Sequence, residues 1–85
     1  MNQTKSLKQI LLEKGVKASD IGNHESDLYC KVCPEAVAAI TEYENMIGVS
    51  THKTTFINNI THELWYDIPF GFMPEHLHAR LTNNL

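Results

Sequence analysis

The chain has 85 residues, of which 42% are hydrophobic and 20% charged, and it carries a formal net charge of −3 with a pI near 5.9. That is the composition of one small folded domain with a modest core, and it excludes a disordered chain. The acidic balance, with the basic residues scattered and only Lys5, Lys8, Lys14 and Lys17 close together, argues against nucleic acid as a partner.

The first stretch, Met1 to Lys14, is polar and periodic, unlike a secretion signal. No apolar run approaches the ~20 residues of a membrane-spanning helix. A cytoplasmic location away from membranes, with both cysteines reduced, is the expectation.

Leu7, Ile10, Leu11 and Lys14 recur at helical spacing and predict a helix over 6–14, stopped by Gly15. The polar stretch 16–26, broken by Gly22, reads as a loop with a helical turn near Ala18 to Ile21. Residues 27–33 alternate as a strand does. Pro34 and Glu35 open a second helix to about Asn45, because proline suits the first helical position and a carboxylate suits the positive end of the helix dipole.

Segments 50–58 and 63–70 are rich in Thr, Ile, Phe, Trp and Tyr, and they predict two strands joined as a hairpin. Its tip falls at Asn58-Asn59 or at Thr61-His62. Pro69 ends the second strand, Phe70-Gly71-Phe72 turns, and Pro74 opens a last helix to about Asn83. The predicted architecture is α+β in the order α-β-α-β-β-α, with about three antiparallel strands packed by two or three helices.

Either tip gives the hairpin the same two faces. One holds Thr55, Ile57, Leu64, Tyr66 and Ile68 and is expected to face the core. The other holds Thr54, Phe56, Asn58, Trp65 and Asp67, a mixture of large aromatics and polar groups. Either a terminal helix covers Phe56 and Trp65 as a satellite core, or they are partly exposed and mark a contact surface, where aromatics are enriched. A small-molecule pocket is the third reading.

Cys30-Lys31-Val32-Cys33-Pro34 is the one stretch that looks like a chemical motif. A redox pair wants its first cysteine at a helix start, whereas here Cys33 takes that place and strand parity sends Cys30 to the opposite face. Zinc needs two further ligands. The histidines at 24, 52, 62, 76 and 78 form no second pair at ligand spacing, and His76 and His78 point apart on a helix. The structural reading, with Cys30 as a small buried hydrophobe, is the third. The polar run His24-Glu25-Ser26-Asp27 offers an acid–base or metal cluster, or plain turn chemistry.

The stretch His24 to Tyr29 with Pro34-Glu35, and the stretch Leu64-Trp65-Tyr66-Asp67-Ile68-Pro69-Phe70, resemble small uncharacterised proteins carried by enterobacterial phages, prophages and plasmids. That resemblance implies a bacterial cytoplasm and an accessory or host-modulating role, with no activity or site to carry over. On the face assignment of the hairpin, the chain is expected to be a non-enzymatic interaction module without a cofactor. It would bind a protein partner, or itself as a homodimer, through Phe56, Trp65, Asp67, Phe70 and Phe72. The alternative is a zinc- or thiol-dependent protein using Cys30 and Cys33.

Overall fold

A computed structural model describes residues 5–85. Helix α1 spans Leu7–Glu13. The Ser6 hydroxyl caps it by accepting the Gln9 N–H at 3.1 Å, and Leu7, Ile10 and Leu11 form its buried stripe. A short 3-10 turn at Ala18–Asp20 follows, at the place where a helical turn was expected.

The next strand was not expected. β1 (Ile21–His24) pairs with β2 (Asp27–Lys31) in antiparallel register, Ile21 opposite Cys30 and His24 opposite Asp27. The two are joined through Glu25 and Ser26 alone, with Glu25 in the left-handed region at φ 56. Such a turn normally announces itself by glycine or asparagine; Glu-Ser does not. What read as a loop over 16–26 is therefore a 3-10 turn and an edge strand.

Helix α2 (Pro34–Ile47) starts at proline and ends at Gly48, whose φ of 80 gives the left-handed cap that glycine adopts without strain. Ala36, Ala39, Ile40 and Tyr43 are its buried face. β3 (Thr54–Ile57) and β4 (Leu64–Ile68) form the predicted hairpin, and α3 (Glu75–Asn83) closes the order. β3 begins later than the sequence suggests because the preceding segment folds back on α2. The Glu44 carboxylate accepts both the N–H and the hydroxyl of Thr51, each at 2.8 Å.

The four strands run β1-β2-β4-β3, antiparallel throughout. The structure is thus α+β, helices against an antiparallel sheet. Residues opposite one another in register share a face, so one face carries Ile21, Cys30, Tyr66 and Thr55 in one row, with Leu28 beside Ile68 in the next. Leu28, Cys30 and Ile68 are fully buried here with the stripes of α1 and α2.

The expected core face of the hairpin needs a correction. Ile68 is core and Tyr66 packs against it, but Thr55, Ile57 and Leu64 are exposed, Ile57 at 57% and Leu64 at 44%. Alternation fixes which face a side chain takes; it does not fix how far along the strand the helices reach.

The last helix is held differently from the first. Its fully enclosed side chains, His78 and Thr82, are polar. His78 is tied to α2 by a 2.9 Å hydrogen bond between its Nδ1 and the Tyr43 hydroxyl.

Candidate functional site

The second face of the sheet is built in two rows. Gly22, Tyr29, Asp67 and Thr54 stand opposite one another in one, and Lys31, Trp65 and Phe56 in the other. None of these residues belongs to the core cluster.

β2 and β3 are separated by β4, about 10 Å apart at ordinary strand spacing. Yet the Tyr29 and Phe56 rings meet edge to face, centroids 5.2 Å apart and planes at 63°. Each must lean inward over the strand between them. Trp65, in that middle strand, is only 6% exposed, while Phe56 and Tyr29 are half-buried. The sequence groups Phe56 with Trp65 but misses Tyr29, because partnership between β2 and β4 depends on strand order, which alternation does not encode.

Polar groups flank this cluster. Lys31 pairs with Glu63 at 2.9 Å on one side of Trp65. On the other, Asp67 and Asp27 come together. Burial, then a hydrogen bond with the Asp27 carboxyl and its negative charge, push Asp67 above the usual carboxylate range, with His24 acting the other way. The buried Oδ1 of Asp67 has no donor among the described residues. The Trp65 indole Nε1 is likewise buried without an acceptor. Tyr29 is raised by burial and then by the nearby carboxylates of Asp67, Asp27 and Glu25.

Asp27 also joins the predicted turn to this face. Its Oδ1 accepts the Phe70 N–H at 3.3 Å, and the Phe72 N–H donates to the Ser26 carbonyl at 2.9 Å. Phe70, at φ 61, and Gly71 make the bend. A Cβ on Gly71 would lie 2.9 Å from Leu28 Cβ and from Ile68 Cγ2, so only glycine lets the chain pass this close to the core. Of the five predicted contact residues, Phe72 is the most open at 45%, Phe56, Asp67 and Phe70 are half-buried, and Trp65 is buried. The run His24 to Asp27 is the β1–β2 turn, with Asn23 Nδ2 donating to the Glu25 carbonyl.

The cysteines are both free and do not lie on opposite sides, which corrects the parity argument. Strand β2 ends at Lys31, so Cys33 escapes the alternation and packs against the same core that buries Cys30. Burial, and then the neighbouring Cys33, push the Cys30 thiol up to about 12, leaving it protonated and a poor nucleophile or metal ligand at neutral pH. Cys33 is the N-cap of α2 without making a side-chain cap bond. Among the described residues no three His, Cys, Asp or Glu side chains gather where they would hold a metal ion. Comparison with family models, with curated proteins and with solved structures finds no match for this chain.

Proposed function

We propose that the chain is a non-enzymatic protein-interaction module that engages its partner through the second face of the sheet. The observation carrying this reading is the partly exposed Tyr29–Phe56 pair standing over Trp65, continuous through Asp67 and Asp27 with the Phe70–Phe72 turn. Trp65 serves as a rigid floor; Phe56, Tyr29 and Phe72 offer the apolar contact area, and Asp67 and the Lys31–Glu63 pair supply its polar rim. A buried, protonated Cys30 gives the thiol alternative little chemistry to work with.

Display selection of peptide ligands, followed by amide shift mapping, tests the reading. Selected peptides are expected to shift residues 27–31, 54–56, 65–67 and 70–72, and Phe72→Ala should weaken them about tenfold, as loss of an interface aromatic does. Ligands that map to the Cys33 end of α2 instead would sink it.

A further inference from the structure

Strand β3 is the outer strand of the sheet, and its backbone defines a specific partner. The Asn58 N–H donates to the Glu63 carbonyl at 2.9 Å, which marks that register pair as hydrogen-bonded. Hydrogen-bonded and non-bonded pairs alternate along an antiparallel ladder. Phe56–Trp65 and Thr54–Asp67 are therefore also bonded pairs, and the N–H and C=O groups of Thr55 and Ile57 point away from β4, off the edge.

The edge segment Thr-Thr-Phe-Ile has no charge, proline, glycine or bulge, the features that usually keep exposed edges from pairing. The opposite edge, β1, contains Gly22 and His24.

We propose that β3 pairs antiparallel with β3 of a second copy of this chain, with the two-fold axis between the two Phe56 residues. The proposal rests on the interaction reading above and names the partner. Thr55 then stands opposite Ile57 of the second copy, the two residues whose free groups face outward, and four new hydrogen bonds close across the seam. This is the register that satisfies both outward residues while bringing no like charges together; Lys53 stays beyond the paired segment. Phe56 meets its own counterpart in a non-bonded pair, where side chains approach most closely, so the Tyr29–Phe56–Trp65 clusters of the two copies become one aromatic strip. On the helix side, Ile57 gains cover from Thr55 of the second copy.

The area involved decides the strength. A paired segment this short, with one Ile and one Phe per copy, buries on the order of 800 Å², below the standard interface and typical of a weak, exchanging dimer. Dissociation constants of about 10–100 µM are expected, nearly independent of salt because no charge is paired.

Sedimentation velocity across about 1 µM to 1 mM, with amide hydrogen exchange at both ends of that range, tests the pairing. The expected result is a monomer–dimer equilibrium in which the Thr55 and Ile57 amides gain protection with concentration while those of Phe56 and Asn58 are protected throughout. Thr55→Pro removes an outward N–H without touching the β3–β4 ladder and should weaken the dimer at least tenfold, as should Ile57→Lys at an exposed position. A monomer over the whole range, a dimer with Thr55 and Ile57 unprotected, or folded variants that dimerise like the parent would each overturn the pairing. If that happens while selected peptides still shift Phe72, the pairing has failed and the interaction reading stands; if peptide mapping fails as well, both fall.

Discussion

The two faces of this sheet handle burial differently, though the same strands build both. On the helix side, Leu28, Cys30 and Ile68 lie fully enclosed under α1 and α2, and the residues around them are apolar apart from the Tyr43 hydroxyl, which has its partner in His78. On the other side, Trp65 is nearly as well buried, with its own Nε1 and the Oδ1 of Asp67 lacking partners among the described residues, as the His78 Nε2 and Thr82 Oγ1 of α3 also do. The first arrangement sets stability. The second holds large aromatics and buried polar groups together at a cost in stability.

The comparison breaks most visibly at two isoleucines of one hairpin and one face. Ile68→Ala removes a fully buried side chain from the core and should cost about 2–4 kcal/mol, whereas Ile57→Ala, at a mostly exposed site, should cost less than about 0.5 kcal/mol. Urea unfolding of the two variants measures the gap. Equal losses would mean that the helices reach along the hairpin as far as Ile57.

Just past β4, Gly71 lies tight against the core. Gly71→Ala forces a methyl against Leu28 Cβ and the Ile68 carbonyl, both at 3.0 Å or less. Neither neighbour is a flexible chain end, so a loss of about 1–3 kcal/mol is expected. The Phe70–Phe72 turn should loosen with it, visible as faster amide exchange at Phe72.

The third test separates α3 from the apolar core. Tyr43→Phe leaves His78 Nδ1 buried without a partner and should cost about 1 kcal/mol. Burial holds His78 below the ordinary histidine value of 6.5, with the Pro69 carbonyl offsetting part of the effect. A histidine that binds its proton less tightly folded than unfolded leaves stability whole above about pH 6.5 and erodes it as pH falls below that value. His78→Gln, which keeps a polar group but does not titrate, should flatten this loss between about pH 6.5 and pH 5. An unchanged slope would place the titration elsewhere.

The pattern of legibility follows from the physics of each signal. Helices α1 and α2 announce themselves by an apolar stripe, a Ser6 cap, an N-terminal Pro34 and a terminal Gly48, all local. The β3–β4 hairpin announces itself by composition. β1 does not, since Ile-Gly-Asn-His has little strand propensity and its turn rests on a strained Glu25; it exists because β2 offers an edge to pair with. The aromatic face was half legible. Parity places Phe56 and Trp65 together, but Tyr29 joins them only through the order β2-β4-β3, and Asp27 meets Asp67 for the same reason. Cys33 falls outside the alternation because β2 ends at Lys31, two residues before it.

The smallest effect is the sharpest probe of the second face. Asp67 holds its proton more tightly folded than unfolded, so its share of stability grows as pH falls toward the usual carboxylate value of 3.8 and is absent at neutral pH, where the ionised group is a net cost beside Asp27. Asp67→Asn should therefore stabilise the protein at pH 7. The gain should be only a few tenths of a kcal/mol, because the side chain is partly exposed and solvent screens the repulsion. The amide can also donate to Asp27, supplying the hydrogen that the carboxylate pair lacks at that pH. Thermal unfolding at neutral pH and again near pH 4 measures both halves: a higher midpoint at neutral pH, and no advantage in acid. A loss at neutral pH would mean that the ionised Asp67 orients Asp27 toward the Phe70 N–H, and that the charge on this face supports the turn instead of straining it.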